Sequence, residues 1–292
     1  TNGTLCDDAF ADELKEVGNM FLTFSIEGSE ETTDARRGKG TYKAVVAAMA
    51  RLKERGVPFG TSICYTKENA DVVSSDDYAD FLIELGALFA WYFTYVPVGC
   101  SAPAELMATA EQREKMYNQI RKWRFEEVKP LMTIDFFNDG EYVGGCVAAG
   151  KQYFHISANG DCEPCVFAHY SNVNIKDPDK HFIDALKSPI FMAYRKRQPF
   201  SDNMLRACPV VDNPGAIKKI VEESGAKSTD LQNPEMVEEL VGKTVNVARR
   251  WKETADKMAA EHGFIQWRIR SVDIYKDKEA TTLRDYNEFG DE

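Results

Sequence analysis

The chain has 292 residues, 43% of them hydrophobic, and a formal net charge of −11 at pH 7. This length and apolar content suit one large domain or two moderate ones. The negative charge argues against a nucleic-acid backbone or an anionic membrane as the main partner. Seven cysteines, an odd number without a regular framework, favour a reducing compartment, so we expect a cytoplasmic protein.

The first half of the chain alternates between predicted helices and predicted strands. Helices are predicted over 7–17, 42–56, 74–85 and 103–129, strands over 20–26, 58–65, 88–96 and 131–137, and a polar loop over 27–40. Such alternation predicts parallel βαβ units with right-handed crossovers, and therefore an α/β fold.

Ligands of such folds bind at the carboxyl ends of the strands. Ser25 and Glu27 follow the first predicted strand, and such a pair can hydrogen-bond a sugar diol. Arg36 or Arg37, in the following loop, can clamp a carboxylate through two hydrogen bonds. Ordinary capping and solvated charge remain the alternative interpretation.

A cysteine-rich segment occupies the middle of the chain. It predicts two short strands, 152–157 and 165–170, around a turn at Asn159-Gly160. The candidate metal ligands are Cys146, Cys162, Cys165 and Cys208. Four thiolates suit zinc or an iron–sulfur cluster, and one tight pair with two scattered cysteines favours the cluster. Buried, reduced cysteines are the alternative.

The rest of the chain predicts helices and few further ligands. Helices are predicted over 182–186, 190–197 and 214–224, and a long amphipathic helix over 234–262 carries Met236, Leu240, Val247, Trp251 and Met258 on one side. We interpret His155 and His169 as packed strand residues rather than ligands, and Cys6, Cys64 and Cys100 as structural.

Two separate motifs resemble radical S-adenosylmethionine (SAM) enzymes. The first is Ser25-Ile26-Glu27-Gly28 followed by Asp34, Arg37-Gly38 and Gly40-Thr41-Tyr42, with Glu27 where the family has Asp. The second, GCVAAGKQYFHISANGDCEPC, resembles the SPASM or twitch extension that binds an auxiliary cluster. Cys146, Gly160 and Cys165 fit its frame, whereas Cys162 falls where the family often has an apolar residue.

The resemblance implies a partial (β/α) barrel over 1–138, an auxiliary-cluster region over 139–225, and a C-terminal helical segment and tail over 226–292. The family's Cys-x3-Cys-x2-Cys motif, which binds the SAM-cleaving cluster, does not occur in these 292 residues. We therefore expect a fragment that lacks the N-terminal barrel units and is inactive alone, with the second 4Fe–4S cluster in the missing part.

The resemblance further implies an oxidoreductase that uses SAM and 4Fe–4S clusters to abstract hydrogen from a peptide or small molecule. Ser25 and Glu27 would hold the SAM ribose, and Arg37 the methionine carboxylate. The implied partners are that substrate and an electron donor such as flavodoxin or ferredoxin, with no nucleic acid and no membrane. A non-catalytic scaffold that binds zinc or an iron–sulfur cluster is the alternative.

Overall fold

The computed structural model of the chain describes residues 1–99 and 101–262, and these separate into two compact units. The first unit comprises 1–95 and 105–136, and the described part of the second comprises 96–99, 101–104 and 137–262. The predicted boundaries at 138 and 225 stay a prediction, and Cys100 and the predicted tail after Gly263 lie outside the described residues.

The first unit is built on a four-stranded, entirely parallel sheet. Its strands are β1 (Leu22–Ser25), β2 (Phe59–Tyr65), β3 (Phe89–Thr94) and β4 (Met132–Asp135), and their order in the sheet follows the chain. The predicted α/β fold with parallel strands is therefore confirmed, because each strand is joined to the next by helical crossovers. That this sheet belongs to a barrel stays a prediction.

The helices of the first unit begin and end at residues with clear capping roles. They are α1 (Asp8–Val17), α2 (Glu30–Arg37), α3 (Thr41–Arg55), α4 (Ala70–Val73), α5 (Asp76–Leu85) and α6 (Ala110–Arg121), followed by a π-helical turn (Lys122–Glu126). The side chains of Asp7 and Ser75 accept hydrogen bonds from first-turn amides of α1 and α5. Glycines in the left-handed conformation terminate α1, α3 and α5, as the sequence predicts.

Two helix predictions for this unit were wrong. The segment predicted as a loop over 27–40 contains α2, whose N-cap is Ser29 and in which only Thr33 is buried. The single helix predicted over 103–129 is a short 3₁₀ turn (Ala104–Leu106) followed by α6, because Thr109 and Gln112 form a capping box that starts a new helix.

The two faces of the parallel sheet differ in exposure. Phe24, Ile63 and Tyr92 lie on the face that the helices bury completely. On the opposite face, Ser25 lies in register with Ser62, and both side chains are half-buried. Of the strand-end groups predicted as ligands, Ser25 therefore adjoins an accessible face.

The second unit is mainly helical, with two very short antiparallel pairs. These are β5 (His155–Ile156) with β6 (Cys162–Glu163), and β7 (Tyr170–Ser171) with β8 (Lys227–Ser228). Its helices are α7 (Gly140–Val143), α8 (Phe182–Leu186), α9 (Pro189–Arg195), α10 (Pro214–Ser224) and α11 (Val237–His262), with a 3₁₀ turn (Met204–Arg206).

The strand predicted over 152–157 is reduced to His155–Ile156, and the return strand predicted over 165–170 is wrong, because the partner of β5 is Cys162–Glu163. The amides of Gln152 and Tyr153 bond to the carbonyl of Val147, and Ala149 bonds to the carbonyl of Pro164. Since these backbone groups are satisfied by tight turns, they do not extend the hairpin.

Helix α11 supplies much of the core of the second unit. Leu240, Trp251 and Met258 are buried, as predicted, and the indole of Trp251 donates to the carbonyl of Leu205 at 2.8 Å. Met236 precedes the helix and is exposed, so its predicted place on the apolar side is wrong. Within 1–99 and 101–262, no helix combines the length and apolarity needed to cross a membrane.

Candidate functional site

Three of the four predicted metal ligands come together in the second unit. Cys146 follows α7, which ends at Gly144 in the left-handed conformation, and Cys165 follows β6. Cys208 follows the 3₁₀ turn that ends at Arg206. The three thiols lie close enough that the charge of each would raise the pKa of a neighbour. A group far apart in sequence is thus assembled by the tertiary fold.

The three thiols share a strongly desolvated environment. Burial raises the pKa of Cys146, raises that of Cys165 to about 12, and raises that of Cys208 well above the usual thiol value. None of the three forms a disulfide. Because a buried thiolate needs a compensating cation, such a group suits a centre whose metal ions supply the positive charge.

Two tyrosines that sequence reasoning missed contact these cysteines. The hydroxyl of Tyr153 lies 2.8 Å from the sulfur of Cys165, and that of Tyr194 lies 3.3 Å from the sulfur of Cys146. Nothing in the sequence distinguishes these tyrosines from ordinary core aromatics, since the contacts join residues 12 and 48 positions apart. When the sulfurs are ionised, both hydroxyls can donate to them.

A buried lysine lies beside the same group. Lys151 donates from Nζ to the carbonyls of Val143 and Gly144, at 3.2 and 2.9 Å, where α7 ends. Burial lowers its pKa, and its positive charge lowers the pKa of Cys146. Lys151 therefore fixes the turn that carries Cys146 and favours the thiolate.

Cys162 does not join the three thiols. Its side chain is 1% exposed on β6, where burial first, then Asp161 and Glu163, raise its pKa. Its backbone amide donates to the carbonyl of Val173 at 2.8 Å. The other cysteines are not among the groups that shift the pKa of Cys162. Its assignment as a ligand stays a prediction.

His155 contacts the buried carboxylate of Glu163, next to Cys162. Its Nδ1 lies 2.6 Å from the carboxylate of Glu163, which is 3% exposed and also accepts a hydrogen bond from the hydroxyl of Thr229. His169 likewise contacts Asp230 at 3.0 Å. These contacts agree with our interpretation of both histidines as packed residues.

The arrangement of the three cysteines fits a polynuclear centre. Among the described residues, no three His, Cys, Asp or Glu side chains converge closely enough to hold a single metal ion. In a 4Fe–4S cluster each cysteine ligates a different iron, so its sulfurs surround the cluster without meeting at one point. Three buried, unbridged thiols from separate segments are therefore a donor set that an iron–sulfur cluster can use.

The tyrosine contacts lead to a prediction about such a cluster. Hydrogen bonds to ligand sulfurs stabilise the reduced, more negative state. We expect Tyr153→Phe to lower the midpoint potential of the cluster by about 40–80 mV, which for a one-electron couple corresponds to a hydrogen bond about 1–2 kcal/mol stronger in the reduced state. Electron paramagnetic resonance during a redox titration measures this shift. Tyr142→Phe, at an exposed tyrosine of α7, is the control, and an equal shift in both variants would contradict the prediction.

The candidate cofactor residues in the first unit form a different arrangement from the one expected. Glu27 is completely buried, its Oε1 accepts a hydrogen bond from Nε of Arg37 at 2.8 Å, and its Oε2 accepts one from the amide of Cys64 at 3.0 Å. Arg37 also donates to Oε1 through Nη2. The structure thus pairs two predicted ligand residues with each other.

Ser25 and Arg36 remain more accessible. The hydroxyl of Ser25 has no hydrogen-bond partner among residues 1–99 and 101–262, and it lies at the carboxyl end of β1. Arg36 is 34% exposed, lies 3.7 Å from Glu27 and stacks over the ring of Tyr95. Ser25 can reach a ligand without losing a hydrogen bond, whereas Arg36 would give up its longer ion pair with Glu27.

Comparisons with known proteins identify the first part of the chain. Residues 1–82 match the model of the Radical SAM superfamily. Fe-coproporphyrin III synthase of Methanosarcina barkeri is 28% identical over 150 residues, which cover 49% of this chain and 37% of that protein. The sporulation killing factor maturation protein SkfB of Bacillus subtilis is 25% identical over 167 residues, covering 56% and 40%.

A solved structure shares the fold over most of the chain. The structure described as native anSMEcpe with bound AdoMet and Cp18Cys peptide superposes with a TM-score of 0.50 at 16% identity, covering 88% of this chain and 75% of that one. This chain spans about two fifths of the length of the two relatives above. The match to the Radical SAM superfamily is confined to residues 1–82, and the comparisons do not favour the non-catalytic scaffold.

Proposed function

We propose that this chain is part of a radical SAM oxidoreductase whose second unit binds an auxiliary 4Fe–4S cluster through Cys146, Cys165 and Cys208. The electrostatic proximity of these three half-buried thiols carries the proposal. The radical SAM match over residues 1–82 supports it independently, since it rests on the other unit of the chain.

When bound, such a cluster supplies an electron-transfer centre or a site for a substrate atom. The protein contributes the surroundings. The thiolates of Cys146, Cys165 and Cys208 would hold the cluster, Tyr153 and Tyr194 could donate hydrogen bonds to two of the sulfurs, and Lys151 adds a positive charge near Cys146. The three cysteines are half-buried, so the site stays partly accessible to solvent.

In the first unit we propose that Ser25 hydrogen-bonds the SAM ribose and that an arginine clamps the methionine carboxylate. The unpartnered hydroxyl at the end of β1 supports the role of Ser25. Glu27 is enclosed, so we assign it to holding Arg37 in place rather than to contacting the ribose. Arg37 and Arg36 are the candidate clamps.

SAM cleavage requires a second 4Fe–4S cluster, and the motif that binds it in this family does not occur in these 292 residues. We propose that a longer parent chain supplies it. The substrate is a peptide or a small molecule, since the related proteins include both an iron-porphyrin synthase and a maturation protein. Flavodoxin or ferredoxin is the proposed electron donor.

Anaerobic reconstitution tests the proposal for the auxiliary cluster. With iron, sulfide and reductant, we expect the chain to take up about four irons and to show broad visible absorption and an electron paramagnetic resonance signal after reduction. Parallel samples receive zinc alone. Stoichiometric, tight zinc uptake with no iron–sulfur spectrum would support the scaffold alternative and overturn the proposal.

A further inference from the structure

A concave site lies elsewhere on the surface of the second unit, and two of its lining residues, Asp212 and Asn213, hydrogen-bond the backbone of Cys208. It is an open cavity of about 590 Å³ between the start of α10 and one side of α11. None of the cysteines lines it. Its wall carries an unusual number of cations for a chain of net charge −11: Arg197, Arg206, Lys219, Arg249 and Lys252.

Three carboxylates, that of buried Asp212 in the cavity wall and those of Glu223 and Asp256 beside it, stand against these five cations. Arg197 is paired with Glu223, and Lys252 is paired with Asp256 at 2.5 Å. Arg206 shares that same Asp256, at 3.8 Å.

Two of the lining cations have no counter-charge at all within the described chain. Lys219 and Arg249 make neither an ion pair nor a hydrogen bond with any residue of 1–99 or 101–262, and both are exposed. The open cavity therefore presents an excess of positive charge, which attracts anions.

One hydrogen-bond donor of a lining residue also lacks a partner. Nε of Arg206 is buried without a partner, although Nη2 of the same guanidinium donates to Asn213 at 3.1 Å. A buried donor without an acceptor is costly and is normally satisfied by water or ligand.

The start of α10 adds to the same wall. Asn213 occupies the N-cap without a capping hydrogen bond from its side chain, and Pro214 and Gly215 open the helix. A Cβ built on Gly215 would meet no atom within 4 Å, so the helix start faces open space. Helix N-termini carry partial positive charge that favours anions.

We propose that this cavity binds a small ligand bearing a phosphate or carboxylate group. The volume lies within the range of small-molecule sites. A phosphate and a carboxylate both present an oxyanion, which Lys219, Arg249 and Arg206 would hold beside the start of α10. The proposal does not depend on the cluster or on SAM, because it uses none of the residues assigned to them.

Isothermal titration of the full chain with inorganic phosphate and, separately, with citrate tests this site. We expect saturable binding of one ligand per chain. Arg249→Gln and Lys219→Gln should each weaken it about ten-fold, since each removes one charge-assisted hydrogen bond. Arg250→Gln is the matched control, because this neighbouring exposed arginine of α11 does not line the cavity. It should bind like the unmodified chain.

The two titrations also separate the two ligand classes. Tighter binding of phosphate identifies a phosphate ester as the ligand class, and tighter binding of citrate identifies a polycarboxylate. The proposal is overturned if neither anion gives saturable binding at millimolar concentration. It is also overturned if Arg250→Gln weakens binding as much as Arg249→Gln, because that result shows unspecific attraction to the helix surface.

Discussion

Replacing Cys165 by alanine is expected to abolish retention of the auxiliary cluster, whereas replacing Cys162 by alanine should leave the iron content unchanged. Cys165 lies with Cys146 and Cys208, and Cys162 lies apart on β6. Loss of one of the three thiolates removes one of the protein bonds that would hold the cluster.

The two cysteine variants form a matched pair. Each deletes one buried sulfur, so each costs about 1–2 kcal/mol of packing energy, and a general loss of stability affects both. After identical anaerobic reconstitution, iron and sulfide analysis should give about four irons per chain for Cys162→Ala and well below one for Cys165→Ala. If Cys162→Ala also loses the cluster while the metal-free chain stays folded by circular dichroism, Cys162 is a ligand and our three-cysteine assignment is wrong.

Replacing Arg37 by alanine is expected to lower the free energy of unfolding by about 2 kcal/mol, because it leaves the carboxylate of Glu27 buried without its principal partner. Two features limit the expected loss in the free energy of unfolding. Arg37 itself is 26% exposed, and the amide of Cys64 and the more distant Arg36 still face the carboxylate. Urea unfolding followed by circular dichroism measures the change.

A double-mutant cycle measures the interaction energy between Glu27 and Arg37. Glu27→Gln removes the buried charge, so Arg37→Ala should cost at least about 1 kcal/mol less in that background than in the unmodified chain. Arg55→Ala is the control, since its partners Asp8 and Asp12 are about two-thirds exposed and such pairs contribute about 0–1 kcal/mol. Strict additivity of Glu27→Gln and Arg37→Ala would show that the two side chains are not coupled.

The same variants, made in a longer parent protein that binds SAM, distinguish the two roles of Arg37. If Arg37 clamps the methionine carboxylate, Arg37→Ala should weaken SAM binding about ten-fold or more at a temperature where the variant is fully folded. If Arg36 is the clamp, Arg36→Ala should produce that loss, and Arg37→Ala should affect mainly stability.

The sequence predicted some elements well because their signals are local. Helix α1, with its N-cap Asp7 and terminating Gly18, and helix α5, with its N-cap Ser75, follow their capping residues closely. Helix α2 escaped prediction because only Thr33 of it is buried, so it shows no apolar period, although Ser29 at its N-cap was a usable signal. Helix α2 matters for the tertiary structure because it places Arg37 beside Glu27.

Family resemblance identified the cysteine-rich segment, but spacing could not tell which cysteines act together. Cys162 and Cys165 are three residues apart, which by spacing alone suits a shared metal. In the fold, Cys162 is held on β6 by its strand pairing, and Cys165 is turned toward Cys146 and Cys208. The different positions of Cys162 and Cys165 depend on which distant backbone segments pair with each of them.

The sequence by itself determined the parallel order of β1 to β4 and the segment that supplies the thiols, because hydrophobic periodicity, caps and motif spacing depend on residues near one another in the chain. Three features followed only from the tertiary structure. Glu27 is buried and paired with Arg37, and Tyr153 and Tyr194 contact the sulfurs of Cys165 and Cys146. Five cations line one cavity. These outcomes join residues from distant segments, and contacts of that kind are set by packing rather than by any local pattern.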